Sequence, residues 1–216
     1  MTERFSYDPE REKKNAAKAM ALEALLIEKG VITTDTVDKV ISYFETEMGP
    51  FNGAKVVARA WVNPDFKARL LENANTAIEE LGLPPIMSGA EGEHMRVAEN
   101  TPSVHNLIIC TLCSCYPWPT LGLPPYWYKD PTFRARAART PRLVLKEFGL
   151  DLDESIEIKV WDSSAQIRWF VLPERPTGTE EMSEAELAQL VTPEAMMGVA
   201  VVDATAKPYV PASQGF

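Results

Sequence analysis

The stretch ICTLCSCYPWP, residues 109–119, contains every cysteine of this 216-residue chain, at Cys110, Cys113 and Cys115. Three thiols cannot all be paired in disulfides within one chain. The residues that lead into the stretch, SVHNLII at 103–109, have the β-branched content of a short strand. The sequence therefore predicts a strand that runs directly into a thiol-rich loop.

The composition is that of an ordinary globular chain with an acidic balance. Hydrophobic residues make up 45% of the sequence, which is enough for a core and excludes disordered and fibrous classes. The 31 acidic residues outnumber the 22 basic ones, and a net charge of −9 repels a phosphate backbone. No apolar run reaches the roughly 18 residues of a membrane span, and the charged N-terminal sequence lacks a signal-peptide pattern. We therefore expect a cytoplasmic protein that binds neither nucleic acid nor a membrane.

Residues 1–82 are predicted to form an all-helical N-terminal arm. Apolar residues recur at helical spacing, and Thr33 or Thr34 is the expected cap of the second helix. Asn63, followed by Pro64 at the first helical position, is expected to open the last helix. Long helices with few partners of their own suggest an arm that lies on another subunit, and a helical layer packed on its own domain is the alternative. The predicted helical segments are 9–30, 33–50, 53–61 and 63–82.

Residues 83–216 are predicted to form a mixed α/β layered domain that contains the cysteines. The proline-rich segment 116–131 is expected to be an ordered loop without helix, because proline removes backbone donors. Segment 131–150 is predicted to form one or two short helices, and segment 183–199 two. The fold class is therefore α+β, with the last two strands expected to pair. The predicted strands are 94–100, 103–109, 156–162 and 167–173.

Four arginines follow the proline-rich segment at close spacing. Such a run suggests an ion-pairing subunit interface, and a solvated face is the default alternative. The residues are Arg134, Arg136, Arg139 and Arg142.

The three cysteines do not match the common thiol sites. A zinc site needs a fourth ligand, for which His94 and His105 are the available nitrogen donors, and His105 on a predicted strand is interpreted as a packed or hydrogen-bonded residue. An iron–sulfur cluster needs four thiolates. A redox pair of Cys110 and Cys113 needs a helix N-terminus, which the prolines of the YPWP run are expected to prevent. A buried, chemically inert role could account for one of these cysteines, but hardly for three within six positions.

Chain connectivity makes the Cys113-Ser114-Cys115 run a chelator in its own right. The two sulfurs and the amide nitrogens of Ser114 and Cys115 can bind one metal as four donors in a plane. Cys110 can then supply an axial thiolate and leave a sixth position open. Amide nitrogens bind metals well when deprotonated, which favours a trivalent d-block ion over zinc. Such an ion is a Lewis acid with an open position.

We call Cys110–Cys115 the claw. The sequence in and around the claw resembles that of a known family. CTLCSCYPWP at 110–119, LGLPP at 121–125 and WYK at 127–129 resemble the α subunit of nitrile hydratase. Thr111 and Tyr116 resemble the cobalt-type branch of this family. The iron-type branch is the less favoured alternative. The resemblance extends upstream to AKVVARAWVNPDFKARLL and downstream to VWDSSAQIRWFVLPERPTGT and SEAELAQLVT, so that it covers nearly the whole chain.

The resemblance implies a complete catalytic site. It implies one low-spin cobalt(III) per α subunit, held by Cys110, Cys113, Cys115 and the backbone nitrogens of Ser114 and Cys115, with iron(III) as the less favoured ion. Cys113 is then oxidised to sulfinate and Cys115 to sulfenate. A β subunit supplies arginines to the sulfur oxygens in an αβ or α2β2 assembly, and an activator protein loads the metal. The implied reaction is hydration of a small nitrile to an amide, which is a lyase reaction.

Several points stay open at the level of sequence. In the family, Cys113, Ser114 and Cys115 form the catalytic loop. The sulfenate oxygen of Cys115 is one candidate nucleophile or base, and hydroxide on the metal is the other. Glu91 stands where the family carries glutamine, and an ionised carboxylate cannot donate a hydrogen bond. The preferred nitrile depends on the β subunit, which shapes part of the pocket.

Two other functions compete with this interpretation. The first is the related thiocyanate hydrolase, whose metal subunit also has a cysteine claw, although Trp118, Leu123 and Pro124 fit nitrile hydratase better. The second is a metal-binding structural module without activity. Carbonyl sulfide production would indicate the first, and zinc with unoxidised thiols would indicate the second.

Overall fold

The computed structural model describes residues 9–46, 48–85, 94–113 and 115–205. Within them, five helices come first and mixed helices and strands follow, so the predicted α+β class is confirmed. The division between residues 1–82 and 83–216 stays a prediction. The helices are α1 (Pro9–Glu28), α2 (Thr34–Thr46), α3 (Pro50–Val62), α4 (Pro64–Glu72), α5 (Ala74–Glu79), α6 (Trp118–Leu121), α7 (Tyr126–Lys129), α8 (Pro131–Arg139), α9 (Pro141–Glu147), α10 (Glu184–Leu190) and α11 (Pro193–Met197). The strands are β1 (His94–Glu99), β2 (Val104–Ile109), β3 (Glu157–Asp162) and β4 (Ile167–Leu172).

The first two helices lie on the surface. The Thr33 hydroxyl caps α2 by accepting a hydrogen bond from the Thr36 nitrogen at 3.1 Å, as predicted. Apolar side chains of α1 are exposed to solvent, and Met20 among them is 70% exposed. Val40 and Tyr43 of α2 are also exposed. In this chain alone, the two helices therefore leave apolar side chains uncovered.

The predicted helix over 63–82 is broken into α4 and α5. Asn63 caps α4, as predicted, through a hydrogen bond from the Phe66 nitrogen to its side chain at 2.9 Å. Asn73 repeats this arrangement, and its side chain accepts from the Thr76 nitrogen at 3.3 Å. Asparagine favours caps because its side chain competes for backbone donors. The single-helix prediction is wrong because Asn73 ends one helix and begins the next.

The four strands form two parallel pairs. β1 pairs with β4, from His94 opposite Ile167 to Glu99 opposite Leu172. β2 pairs with β3, and Ile109 lies opposite Asp162 at the ends of both strands. The predicted strands all exist, but the prediction that the last two pair with each other is wrong. Parallel pairing requires a long crossover, and α6–α9 provide it between β2 and β3.

The proline-rich segment contains two single-turn helices, so the prediction that it excludes helix is wrong. α6 begins directly after Pro117 and has Pro119 in its first turn. The first amides of a helix have no intrahelical partner, so proline is tolerated there. The expectation that these prolines prevent a helix start fails for the same reason, although α6 begins beyond the last cysteine.

The core lies between the strands and the helices that cover them. α3 packs against α6 and α10, and α4 and α5 pack against β1. Gly53 permits the close contact of α3 with α6, because a Cβ there would lie 2.5 Å from the Thr120 carbonyl oxygen. Trp127 of α7 is buried against the rings of Phe133 and Phe148, each at a centroid distance of 4.9 Å. None of the helices in the described ranges is long and apolar enough to cross a membrane.

Candidate metal centre

The claw begins where the β2–β3 pair ends. Cys110 directly follows β2, and the Ser163 nitrogen donates to the Ile109 carbonyl at 2.8 Å just beyond the last strand pair. Ligand sites often form beyond the carboxyl ends of parallel strands, where successive loops diverge. Cys110 is buried, Cys115 is half-buried and Cys113 is exposed. The burial of the cysteines therefore decreases from Cys110 through Cys115 to Cys113.

The three sulfurs converge in a way that fits one metal ion. Their atoms lie within 4.8 Å of one another, with 3.3 Å between the Cys110 and Cys113 sulfurs and 2.9 Å between those of Cys113 and Cys115. No disulfide joins these three cysteines, since an S–S bond needs about 2.05 Å. Metal–thiolate bonds of about 2.3 Å at right angles place two sulfurs about 3.3 Å apart. The three thiols are therefore placed where they could hold one metal ion, and the full predicted ligand set stays a prediction.

Burial favours the neutral form of the Cys115 thiol. The pKa of the Cys115 thiol is raised to about 12, first by burial and then by its hydrogen bond with Cys113, while the positive charge of Arg168 opposes the shift. Burial also raises the pKa of Tyr128, so its phenol stays protonated and donates to the Cys115 carbonyl at 2.8 Å. Ligation by Cys115 therefore requires release of a proton.

Besides Tyr128, two side chains from elsewhere in the chain form hydrogen bonds with the backbone of the claw. The Asp162 carboxylate, at the end of β3, accepts from the backbone nitrogen of Thr111 at 2.9 Å and also from its hydroxyl. Arg134 of α8 donates from a guanidinium nitrogen to the Cys113 carbonyl. Tyr128, Asp162 and Arg134 were missed by sequence reasoning, because their contacts with the claw depend on tertiary folding.

Two of the other three arginines of the predicted series make contacts within the fold. Arg136 pairs with Glu147 of α9 through two guanidinium nitrogens. Arg142 donates to three carbonyls between β3 and α9, those of Leu152, Asp153 and Ile156. Arg139 is exposed. The four residues therefore have separate environments.

His105 is a buried, hydrogen-bonded residue, as predicted. Its Nε2 donates to the Gly198 carbonyl at 2.8 Å, because a carbonyl only accepts. Its Nδ1 then accepts from the Asn100 side-chain nitrogen at 3.3 Å. Burial lowers the pKa of the imidazole, and the bond to Gly198 opposes this shift. His94 is exposed at the start of β1.

Two predicted site residues lie outside the described residues. They are Ser114, whose backbone nitrogen is a predicted ligand, and Glu91, which replaces the glutamine of the family. Trp118 is half-buried and contacts the Phe44 ring of α2 at a centroid distance of 5.8 Å.

Fold and site together define a class: α+β proteins that hold a metal in a cysteine loop beyond a parallel strand pair. The family model for the nitrile hydratase alpha chain matches residues 13–200. The chain belongs to this family. Its resemblance to the family, inferred from the claw, is confirmed.

Individual relatives agree with this assignment. The alpha subunit of the low-molecular weight cobalt-containing nitrile hydratase of Rhodococcus rhodochrous is 54% identical over 193 residues, 89% of this chain and 91% of that protein. The cobalt-containing alpha subunit of Pseudonocardia thermophila is 52% identical over 193 residues, 89% and 93% of the two chains. The gamma subunit of thiocyanate hydrolase from Thiobacillus thioparus is 39% identical over 189 residues, 84% and 77%.

A solved structure has the same fold. A double mutant of the Fe-type nitrile hydratase from Comamonas testosteroni Ni1 superposes with a TM-score of 0.81 at 43% identity, over 94% of this chain and 98% of that one.

Proposed function

We propose that this chain is the metal-binding α subunit of a cobalt-type nitrile hydratase, which converts a small nitrile and water into an amide. The observation that carries the proposal is the convergence of the three cysteine sulfurs within 4.8 Å at the end of β2. The relatives named above that share about half of its residues are cobalt-containing nitrile hydratase alpha subunits, while the thiocyanate hydrolase subunit is less similar. When bound, cobalt(III) supplies a Lewis acid for the nitrile nitrogen.

Residues of this chain bind the metal and supply the oxygen group that reacts at the site. Buried Cys110 anchors the site, and Cys113, Cys115 and the backbone nitrogens of Ser114 and Cys115 complete the ligand set. In the proposed mature site, Cys113 is a sulfinate and Cys115 a sulfenate. The nitrile carbon is a poor electrophile and needs an oxygen nucleophile. We assign to the sulfenate oxygen of Cys115 the role of attacking the nitrile carbon or activating water.

A β subunit is expected to cover the claw. The oxidised sulfurs carry negative charge, and burying them requires cationic partners. Leu112, at the tip of the claw, is 86% exposed, and α1 and α2 also present apolar side chains to solvent. A continuous partner surface over these features would explain their exposure in the isolated chain. We propose an αβ or α2β2 assembly, loaded by an activator protein in the cytoplasm, where unpaired thiols persist.

The proposal is tested on the chain coexpressed with its β subunit and activator protein in cobalt medium. We expect about one cobalt per αβ unit by elemental analysis, and amide formation from a short aliphatic nitrile by chromatography. Mass spectrometry should find two added oxygens on Cys113 and one on Cys115. The purified α chain alone should be inactive, because its sulfur charges lack partners.

Each competing function predicts a different result. Carbonyl sulfide released from thiocyanate, without amide from nitriles, would assign the chain to the thiocyanate hydrolase reaction. Zinc with unoxidised thiols would indicate a structural module. Stoichiometric iron in active enzyme would contradict the cobalt assignment.

A further inference from the structure

Arg134 differs from Arg136 of the same helix in the group that its guanidinium contacts. Its guanidinium reaches out of α8 to the Cys113 carbonyl, 21 residues away in the sequence. Arg136 of the same helix pairs with a carboxylate, Glu147, and thereby stabilises the packing of α8 on α9. Arg134 instead places a cation on a neutral carbonyl oxygen inside the claw.

One hydrogen-bond donor of the Arg134 guanidinium is unsatisfied within the described part of the chain. Its Nε is buried and has no acceptor within the described ranges. A buried donor without a partner costs free energy, and most buried side-chain donors in folded proteins have a hydrogen-bond partner. The Arg134 cation beside the claw is therefore able to bind a group that carries additional negative charge.

The peptide unit that Arg134 contacts is the one that matters for backbone ligation. The Cys113 carbonyl and the Ser114 nitrogen belong to one planar amide, in which the electrons are delocalised over oxygen, carbon and nitrogen. When such a nitrogen binds a metal in its anionic form, part of the negative charge resides on the carbonyl oxygen. A guanidinium hydrogen-bonded to that oxygen stabilises the anionic amide, as charge-assisted hydrogen bonds do elsewhere.

We propose that Arg134 is a positioning residue that holds the peptide between Cys113 and Ser114 and offsets the negative charge of its metal-binding nitrogen. Arg134 does this from within the α chain and through the backbone, separately from any cation that contacts the sulfur oxygens. The inference rests on the proposed backbone ligation of the metal. It predicts that cobalt retention depends on the charge of residue 134 and not only on a donor at that position.

The test compares Arg134→Gln with Arg134→Lys in the αβ complex loaded by its activator protein. Glutamine keeps a donor without charge, and lysine keeps the charge without the planar fork. The matched control is Arg139→Gln, which removes one charge from an exposed position of the same helix. Copurification of the β subunit and circular dichroism establish that each variant assembles. If Arg134→Gln does not assemble, Arg134→Met replaces it as the uncharged variant.

The readouts are cobalt content, the sulfur-to-cobalt charge-transfer absorption, and the rate of cobalt loss to a chelator. We expect Arg134→Gln to lose cobalt roughly ten- to a hundredfold faster than wild type, with a shifted absorption band. Arg134→Lys should retain most of the cobalt and the band, and Arg139→Gln should match wild type. Loss in both Arg134 variants would overturn the role of charge.

Wild-type behaviour of Arg134→Gln would also overturn the inference while leaving the proposed function intact. Absence of cobalt from the wild-type complex would instead refute the proposed function, and this inference with it. The wild-type measurement therefore distinguishes the two failures.

Discussion

Asp162 and Thr111 are joined by two hydrogen bonds, from the threonine backbone nitrogen at 2.9 Å and from its hydroxyl. The contact ties the end of β3 to the first residue after the buried Cys110. It fixes the entry of the claw at the point where the chain leaves the sheet. The hydroxyl of a serine at position 111 could make the same bond, so this contact offers no basis for the choice between cobalt and iron.

Removing this contact should loosen the claw. In Asp162→Ala we expect lower cobalt occupancy and roughly tenfold slower hydration, because two charge-assisted hydrogen bonds are lost. Thr111→Val, which loses only the hydroxyl, should have a smaller effect, and Thr111→Ser should match wild type. Elemental analysis and amide formation measure these outcomes. If Thr111→Ser is as impaired as Asp162→Ala, the hydrogen bond from the hydroxyl does not account for cobalt occupancy and activity.

Backbone ligation at Ser114 can be tested by removing its amide proton. Ser114→Ala keeps the nitrogen donor and should retain cobalt, whereas Ser114→Pro has no N–H to lose and should not. All three thiols remain in both variants. Because proline also restricts Cys113 toward extended backbone angles, the two variants are interpreted as a pair, with circular dichroism as the fold control. Equal cobalt occupancy in both folded complexes would exclude a peptide-nitrogen ligand.

The hydroxyl of Tyr128 should contribute to the stability of the claw. Tyr128→Phe removes the donor to the Cys115 carbonyl while keeping the buried ring. An unsatisfied carbonyl costs about 1–3 kcal/mol, so the complex should melt at a lower temperature. Tyr43→Phe, at an exposed position of α2, is the control. An unchanged melting temperature in Tyr128→Phe would contradict the assigned bond.

Stability should fall as the solution becomes mildly acidic, because of His105. Burial lowers its pKa in the folded chain from its ordinary value of 6.5. Below pH 6.5 the unfolded chain therefore takes up a proton that the folded chain resists, and stability declines until the pH passes the folded pKa. A protonated Nδ1 would also face the donor of Asn100, whose side-chain oxygen is already bound to the Asn106 nitrogen.

The measurement is the free energy of unfolding between pH 7 and pH 5, in roughly half-unit steps. His105→Gln should flatten the pH dependence in this range, even though it lowers stability at pH 7. An identical slope in the variant would show that other groups cause the decline.

The end of α11 should not tolerate a side chain at position 198. A Cβ on Gly198 would overlap the Asn106 carbonyl oxygen of β2, and the backbone there has a φ of 81°. Gly198→Ala should therefore reduce soluble complex strongly. Gly178→Ala is a matched control, since its φ is 82° with nothing within 4 Å of the added atom. Similar yields of the two variants would mean that backbone strain, not overlap with β2, determines the effect.

The sequence alone determined the features that depend on near neighbours. The claw spacing, the caps at Thr33 and Asn63, and the four strands are local properties, since a cap or a chelate ring joins residues a few positions apart. The family resemblance rests on the same local runs. Local signals also have limits: Asn73 competes for backbone amides inside an otherwise helical run, and proline is compatible with a first turn, as in α6.

Only the tertiary structure determined which distant residues meet the claw. Strand pairing is set by crossovers and by burial of both faces, and a β-rich segment does not specify its partner. Once β2 lies beside β3, Asp162 reaches Thr111 across 51 residues of sequence, and α8 brings Arg134 to Cys113 across 21. Chain connectivity placed the sulfurs on one short loop, and long-range packing supplied the side chains that hold its backbone.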